Sequence, residues 1–204
     1  MSKLNKINDI FIHKTAEVNE NAKIGEGTFI WNQAQIRENV KVGNNCIISK
    51  NVYLDLDVII GDNVKIENNV SLYKGVTVED DVFIGPHAVF TNDLYPRAFN
   101  KDWEITNTIL KKGCSIGANA TIVAGNIIGS YSMVAAGSVV TQDVAPFSLV
   151  RGNPARIVGY VCKMGHKMKK INKLDEQQMR YYCDICKTEM VINIDVHSQK
   201  LRDK

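Results

Sequence analysis

The sequence predicts an all-β protein, a parallel β-helix of triangular coils. Large apolar residues recur every 6 positions, a row of small residues follows each by 4, and turn residues recur every 18. An α-helix needs a spacing of about 3.6, and an ordinary strand alternates every two residues without such turns. Three short sides per turn suit coils that stack on one another, here about seven of them. An antiparallel sandwich with frequent turns is the alternative fold.

The first row of the repeat is large and apolar at all 14 of its positions. It consists of Ile12, Val18, Ile24, Ile30, Ile36, Val42, Ile48, Leu54, Ile60, Ile66, Leu72, Val78, Ile84 and Phe90. The second row is small or β-branched, and it consists of Ala16, Ala22, Thr28, Ala34, Val40, Cys46, Val52, Val58, Val64, Val70, Val76, Val82 and Ala88. We expect both rows to point into the shaft of a three-sided prism.

Turn residues mark one corner of the predicted prism at an 18-residue interval. The sequence reads GEG at 25–27, GNN at 43–45, GDN at 61–63 and EDD at 79–81. Gly, Asn and Asp tolerate the positive φ of a tight corner. We therefore expect these triplets to turn the chain between successive sides.

The repeat is interrupted once and then ends. After Phe90 the phase resumes 20 residues later at Leu110, so segment 91–109 is predicted to leave the prism as a loop. Long loops in compact folds are often functional. Pro146 and Pro154 cannot donate to a ladder and mark the end of the coils. We predict a lead-in at 1–11, a β-helix at 12–159 with its loop, and a small appendage at 160–204.

Composition limits the function classes. The chain has 25 Lys and Arg against 22 Asp and Glu, and 10 of the basic residues follow Val161, so the repeats offer no basic surface for nucleic acid. The N-terminus lacks the apolar core of a signal peptide, and no stretch approaches the roughly 18 apolar residues of a membrane span. We expect a cytoplasmic protein without membrane insertion. The 5 cysteines, an odd number, favour thiols or metal ligands over a disulfide framework.

The appendage contains a candidate metal site. Cys162 and His166, together with Cys183 and Cys186, supply four soft ligands in two short pairs, similar to a zinc ribbon. The pattern departs from a ribbon because Met164 stands where a thiolate is usual. The alternative is a solvated basic tail with ordinary thiols. Cys46 and Cys114 fall in the inward small-residue row and are predicted to belong to the core.

Three segments carry a resemblance to a known family. They are IGEGTFIW at 24–31, IENNVSLYKGV with FIGPHAVFTNDLYPR between 66 and 97, and GANATIVAG at 117–125 followed by RGNPARIVG at 151–159. Over about residues 10–160 the chain resembles the left-handed β-helix, hexapeptide-repeat acyltransferases, and these segments resemble those of nucleotide-linked 3-amino-sugar N-acetyltransferases. The FTND-x-YPR loop is the most specific of them.

The resemblance implies an enzyme that uses acetyl-CoA. Its acceptor would be the amino group of a UDP- or dTDP-linked 3-amino sugar, in the synthesis of surface polysaccharide such as the O-antigen of lipopolysaccharide. It also implies a homotrimer with active sites between neighbouring prisms. Positions matching the family's coenzyme A groove are Gly117, Ala118, Ala135, Ala136, Gly137, Arg151, Pro154 and Arg156. The small residues of this groove would let a ligand approach the main chain, and the alternative is that they serve packing alone. Arg156 would pair with the phosphates of coenzyme A, and the alternative is a purely structural role.

The chemistry needs few side chains, because a thioester is already activated and a neutral, well-placed amine can attack it directly. His87 is the candidate base, although some relatives work without one, and a corner histidine without a catalytic role is the alternative. Asn92 matches the substrate-contacting asparagine of the family, against a simple Asn-Asp turn. Further candidates for substrate binding are Asn68, Asn69, Asp93, Tyr95, Arg97, Trp31 and Gln35.

Three other functions are compatible with such a fold. An O-acetyltransferase or a transferase of longer acyl groups would differ mainly in the polarity of its groove. A zinc carbonic anhydrase on this helix would need three coil histidines, whereas the repeats contain His13 and His87 alone. A non-enzymatic β-helix would show threonine ladders or featureless faces, which the Arg- and Tyr-containing loop argues against.

Overall fold

The computed structural model describes residues 5–7, 9–175 and 177–193, so the rest of the predicted lead-in and appendage lies outside the described residues. The chain forms short parallel strands in three sheets that wrap a triangular shaft, the predicted left-handed β-helix. A small antiparallel sheet follows it. The described part of the chain contains no helix of a length and apolarity that could cross a membrane.

The described strands follow one another in chain order. They are β1 (Asn5–Ile7), β2 (Ile10–Ile12), β3 (Glu17–Val18), β4 (Lys23–Ile24), β5 (Phe29–Ile30), β6 (Gln35–Ile36), β7 (Lys41–Val42), β8 (Ile47–Ile48), β9 (Tyr53–Leu54), β10 (Ile59–Ile60), β11 (Lys65–Ile66), β12 (Ser71–Leu72), β13 (Val76–Val78), β14 (Phe83–Ile84), β15 (Val89–Phe90), β16 (Thr108–Leu110), β17 (Ser115–Ile116), β18 (Thr121–Ile122), β19 (Ile127–Ile128), β20 (Met133–Val134), β21 (Val139–Val140), β22 (Ser148–Arg151), β23 (Arg156–Tyr160), β24 (Lys169–Lys173), β25 (Gln178–Cys183) and β26 (Thr188–Asn193).

The strands of the β-helix form three faces. Face A stacks β2, β5, β8, β11, β14, β17, β20 and β22, face B stacks β3, β6, β9, β12, β15, β18 and β21, and face C stacks β4, β7, β10, β13, β16 and β19. Val144 extends face C by a parallel bridge to Ile128. Each strand pairs with the strand 18 residues later where no loop intervenes, as Lys65 with Phe83. The result is the predicted seven coils plus one more rung, β22.

Both predicted inward rows form the core. From Ile30 to Phe90 every member of the first row is at most 4% exposed, and from Thr28 to Ala88 the second row is equally buried. Ile12, Val18 and Ile24 are partly buried, because they belong to the first coil. Burial of one such aliphatic side chain contributes about 1.5–3 kcal/mol, so the repeat carries most of the stability of the fold.

The first and third residues of each corner triplet have different structural roles, which the sequence did not indicate. Positive φ occurs at the third position, as at Asn45 (56°) and Asn63 (57°). The first-position glycines serve close packing instead: a Cβ on Gly25 would lie 2.4 Å from the carbonyl carbon of Gly43. The triplets therefore turn the chain as expected, with positive φ at the third position and close packing at the first.

The loop leaves between faces B and C of the fifth coil. β16 begins at Thr108, which pairs with Val76, so the loop spans 91–107 rather than the predicted 91–109. Thr108 and Ile109 are drawn into the coil by this parallel pairing. The backbone N–H of Thr106 donates to the carbonyl of Asn92 at 2.9 Å and closes the base of the loop.

The β-helix ends in an antiparallel return. β23 folds back along β22, and the chain then forms a three-stranded antiparallel sheet in the order β24-β25-β26. β23 runs to Tyr160, one residue into the predicted appendage, because Tyr160 still pairs with Ser148.

Candidate active site and metal centre

Most candidate residues lie along one edge of the prism, the corner between faces A and B, termed the A–B corner. From the second coil upward it contains Trp31, then Asn68 and Asn69, His87, Gly117 and Ala118, the run Ala135–Gly137, and the β22–β23 turn with Arg151, Pro154 and Arg156. Stacked strands are about 4.8 Å apart, so this edge can contact an extended ligand over several coils. Asn92 and its loop lie at the next corner, between faces B and C, termed the B–C corner. His87 and Asn92 are thus at opposite ends of β15.

His87 occupies a left-handed corner position and belongs to a side-chain ladder. Its φ is 58°, and its Nε2 lies 3.3 Å from Nδ2 of Asn69. Asn51 Nδ2 donates to Asn69 Oδ1 at 2.9 Å, which orients the Asn69 amide with its N–H₂ toward His87. With the Asn69 amide oriented in this way, its nitrogen is the donor and His87 Nε2 is the acceptor of the contact. His87 Nε2 must therefore release Asn69 before it can take a proton from a substrate.

Asn92 is held at the base of the loop by its own side chain. Its Nδ2 donates to the carbonyl of Lys74 at 3.3 Å, and its Oδ1 has no partner among the described residues. That oxygen is an acceptor placed beside the loop, where it can bind an N–H group. Asp93 instead accepts the N–H of Tyr95 at 2.7 Å, the turn-forming arrangement that was the alternative for this pair.

The loop beyond Asp93 projects away from the prism. Tyr95 is 78% exposed, and Phe99 is 83% exposed. Arg97 is exposed as well, and its Nη1 donates to the neighbouring carbonyl of Pro96. The loop thus presents aromatic and cationic groups that have few contacts within their own chain.

A polar column below Asn92 was not predicted. Arg37 Nη1 donates to Asp55 Oδ1 at 3.2 Å, Tyr53 Oη donates to the same oxygen at 2.9 Å, and the N–H of Lys74 donates to Asp55 Oδ2. Partial burial acts to raise the pKa of Asp55, yet these donors and the N–H of Leu56 hold it below its ordinary value. The carboxylate thus anchors the backbone that Asn92 contacts. The 18-residue spacing of Arg37 and Asp55 was the available signal.

The two glycines of the proposed coenzyme A groove have different reasons to be glycine. A Cβ on Gly117 would lie 2.4 Å from the backbone N of Ala136, so stacking alone requires Gly117. Gly137 has a φ of 69°, and nothing lies within 4 Å of the position a Cβ would take. Asn, Gln and His occupy the equivalent left-handed positions of lower coils, so φ alone does not require glycine here. Packing within the chain leaves the backbone of Gly137 accessible.

The corner next to Gly137 leaves a backbone donor available. In a lower coil the N–H of Lys50 donates to Asn68 Oδ1 of the coil above, at 3.2 Å. Ala118 is the equivalent residue two coils above Asn68, and the residue that faces it from the next coil is Ala136, which has no acceptor side chain. Among the described residues no partner is found for the Ala118 N–H. This segment combines small side chains with a free donor, which suits the amides of an extended ligand.

The upper end of the A–B corner is positively charged. Arg151 and Arg156 are partners across the antiparallel β22–β23 pair, and both are exposed. Like charges directly opposite are destabilising unless an anion or solvent separates them. Arg156 Nη1 donates to the carbonyl of Ala155, which leaves its remaining donors free for phosphate.

Trp31 and Gln35 lie lower, in the second coil. Trp31 is 40% exposed, and Gln35 Nε2 donates to Glu17 Oε2 at 3.1 Å. Asn68 Oδ1 accepts the N–H of Lys50, and the backbone carbonyl of Asn68 accepts the N–H of His87 at 3.0 Å. Asn68 therefore joins neighbouring coils.

The four candidate metal ligands converge. The ligand atoms of Cys162, His166, Cys183 and Cys186 all lie within 4.8 Å of one another. Cys162 Sγ is 3.7 Å from Cys186 Sγ and 3.7 Å from His166 Nδ1, and the latter is 3.3 Å from Cys186 Sγ. Cys46 and Cys114 are buried in the coils as predicted, where burial raises the pKa of the Cys114 thiol to about 12.

Comparison with known proteins agrees with this architecture. The family "Bacterial transferase hexapeptide (six repeats)" matches residues 11–55 and 57–92, and "Hexapeptide repeat of succinyl-transferase" matches 108–142. A hexapeptide-repeat acetyltransferase of Vibrio cholerae is 31% identical over 60% of this chain and 70% of its own, with a TM-score of 0.51. The chain belongs to the hexapeptide-repeat acyltransferase family. Another structure of an acetyltransferase with that description, complexed with acetyl coenzyme A, is 33% identical over 56% of this chain and 67% of its own, with a TM-score of 0.50.

Among curated relatives, this hexapeptide-repeat chain is 65% identical over 65 residues to the dTDP-3-amino-3,6-dideoxy-alpha-D-galactopyranose 3-N-acetyltransferase of Aneurinibacillus thermoaerophilus. The match covers 32% of this chain and 34% of that protein. Serine acetyltransferase 4 of Arabidopsis thaliana is 49% identical over 24% of this chain and 14% of its own. The chain thus matches about a third or less of the length of these relatives.

Proposed function

We propose that this protein transfers an acetyl group from acetyl-CoA to the amino group of a dTDP- or UDP-linked 3-amino sugar. The observation that carries the proposal is the bare backbone at Ala118 and Gly137, between His87 one coil below and the Arg151–Arg156 pair above. An acyl thioester near His87, pantetheine amides along the bare segment and phosphates at the arginines would follow one edge of the prism. The sugar and nucleotide type rest on the partial match to the Aneurinibacillus enzyme.

The reaction requires positioning more than activation. The neutral amine attacks the thioester carbonyl carbon, a tetrahedral oxyanion forms, and its collapse expels the thiolate of coenzyme A while the nitrogen loses a proton. Asn92 Oδ1 would accept an amine N–H and orient the lone pair on nitrogen. His87 would accept the proton at Nε2 after exchange with Asn69, or the departing thiolate would accept it. A backbone N–H of the corner would bind the oxyanion.

The complete site is proposed to need a second copy of the chain. His87 and Asn92 lie at different corners of one prism, and the loop beyond Asn92 carries exposed Tyr95 and Phe99. In a homotrimer the loop of one subunit would cover the A–B corner of its neighbour and bring the two groups to one substrate. Light scattering at several concentrations would test this assembly, and a monomer with full activity would contradict it.

A thiol-release assay with acetyl-CoA tests the activity. The acceptor panel should contain dTDP- and UDP-linked 3-amino sugars, the matching 4-amino sugars, and 3-hydroxy sugars as controls for O-acetylation. We expect release of coenzyme A with the 3-amino sugars and an N-acetylated product by mass spectrometry. Folded protein that is silent with every amine, or that acts on the hydroxyl sugars alone, would refute the proposal.

A further inference from the structure

The C-terminal sheet has too small an apolar core to explain its fold. Its buried cluster consists of Cys162, Met168 and Cys183, with a few partly buried neighbours such as Tyr181 and Met190. All five residues of β24 are exposed. Units below about 40 residues usually need a disulfide, a metal or a partner to remain folded. Met179 and Ile192 are also buried in the sheet, but two of the three side chains of the cluster itself are cysteines, whose thiols can bind a metal.

Three of the four ligand atoms have the spacing of a tetrahedral metal site, and Cys183 Sγ lies within 4.8 Å of each of them. Zinc bonds of about 2.3 Å to sulfur and about 2.0 Å to nitrogen place sulfurs about 3.8 Å apart and sulfur about 3.5 Å from nitrogen. The corresponding separations here are 3.7 Å for Cys162 and Cys186, and 3.7 and 3.3 Å from these sulfurs to His166 Nδ1. A disulfide would join two sulfurs and leave the histidine and third thiol without a reason to converge.

The surroundings of the cluster also favour a metal. Cys162 is 3% exposed and Cys183 is fully buried, so the thiolates would be shielded from solvent. The backbone N–H of Cys186 points at Cys183 Sγ at 3.4 Å, a contact that stabilises a metal-bound thiolate. Three thiolates and one neutral imidazole form a soft ligand set that selects Zn²⁺ and disfavours Mg²⁺ and Ca²⁺.

We propose that Cys162, His166, Cys183 and Cys186 bind one structural Zn²⁺ that fastens the C-terminal sheet to the last coil of the β-helix. Cys162 and His166 belong to the turn that follows β23, whereas Cys183 and Cys186 lie at the tip of the β25–β26 hairpin. The metal thus joins two segments that are distant in sequence. Four protein ligands leave no open position, which makes the site structural rather than catalytic.

The turn that holds two of the ligands rests on the β-helix. Lys163 Nζ lies 5.4 Å from the ring centroid of Tyr131, and a Cβ on Gly165 would lie 3.0 Å from Met133 Cε. Met133 belongs to β20, which leads directly into Ala135–Gly137. The metal therefore also secures the element beside the proposed coenzyme A groove, although the metal proposal does not depend on the acetyl-transfer proposal.

Metal content of the full-length protein, purified under reducing conditions without a metal-affinity tag, tests the proposal. We expect one equivalent of zinc per chain by plasma mass spectrometry, and release of that zinc when a mercurial reagent titrates the thiols. Substitution with Co²⁺ should produce thiolate-to-cobalt charge transfer and the absorption of a tetrahedral site. Folded wild-type protein without zinc and without this cobalt spectrum would overturn the proposal.

Variants locate the metal. Cys183→Ser should lose most of the zinc, whereas Cys114→Ala, which removes a thiol buried in the coils, should retain it. After a chelator removes the metal from the wild-type protein, a protease should cut beyond residue 160 and leave the β-helix intact. This test uses wild-type protein, so it does not require that a variant folds. Equal zinc in both variants, or a disulfide among Cys162, Cys183 and Cys186 in the native protein, would contradict the assignment.

Discussion

The A–B corner differs between the lower and the upper coils of the β-helix. Below, Asn51, Asn69 and His87 occupy its left-handed positions and connect coils through their side chains. Above, the side chain of Asn119 (φ 57°) bonds to no other coil among the described residues, and Gly137, whose N–H donates to the carbonyl of Ala118, has no side chain. Because the stacking backbone is the same in both regions, the difference lies in what the corner presents outward. The lower coils use their corner for cohesion, whereas the upper coils leave theirs accessible.

The largest effect is expected where glycine serves stacking. Gly117→Ala places a Cβ against the backbone of Ala136, and neither coil can move without breaking its strand pairing. Overpacking of this kind costs about 3 kcal/mol. We expect a clear fall in the midpoint of denaturant unfolding. Unchanged stability would show that the corner adapts, and the contrast with Gly137 would weaken.

Gly137→Asn extends the lower type of corner into the upper coils. Asn already adopts this conformation at Asn69 (φ 61°), and open space surrounds residue 137, so stability should change by less than about 0.5 kcal/mol. The side chain would obstruct the proposed groove. We expect KM for acetyl-CoA to rise by about 10- to 100-fold, or about 1.4–2.8 kcal/mol. An unchanged KM with intact fold would exclude coenzyme A from this segment.

Asn92→Ala tests the other corner, which the β15 strand connects to His87. Loss of its Oδ1 should lower kcat by about 10-fold, the worth of one hydrogen bond to the reacting amine. Loss of its bond to Lys74 should cost at most about 1 kcal/mol of stability. Asn100→Ala is the control, since Asn100 Oδ1 accepts the N–H of Asp102 elsewhere in the loop. Equal losses of kcat and stability at residue 92 would mean a structural role.

The smallest effect is expected within the lower ladder. Asn69→Asp keeps a residue that tolerates this conformation and places a carboxylate beside His87 Nε2, which favours the imidazolium. If His87 is the base, the variant needs a higher pH to form the neutral imidazole. The rise of kcat/KM with pH should therefore move to higher pH. Asn45→Asp at another corner, with φ 56°, is the matched control. Identical profiles for both variants would assign the proton to another acceptor.

Much of the β-helix was predictable because its burial pattern is local. Residues such as Leu54 and Val58 point inward by their place in a six-residue side, whatever lies elsewhere in the chain. The end of the loop was harder to predict, because Thr108 enters β16 by pairing with Val76, a partner that periodicity does not identify. The roles of the proposed site residues stay predictions, because they concern a ligand and a neighbouring subunit.

By itself the sequence determined the coil, its two inward rows and the place where the repeat is interrupted, since a short period is set by bond geometry and burial. The tertiary structure alone decided which atoms of neighbouring side chains meet, and at what distance. The contact of Asn69 with His87, the column from Arg37 through Asp55 to Lys74, and the convergence of Cys162 with Cys186 are of this kind. Spacing and motif indicate which residues are neighbours, but the stacking of the coils and the return of β23 decide their distances and hydrogen-bond partners.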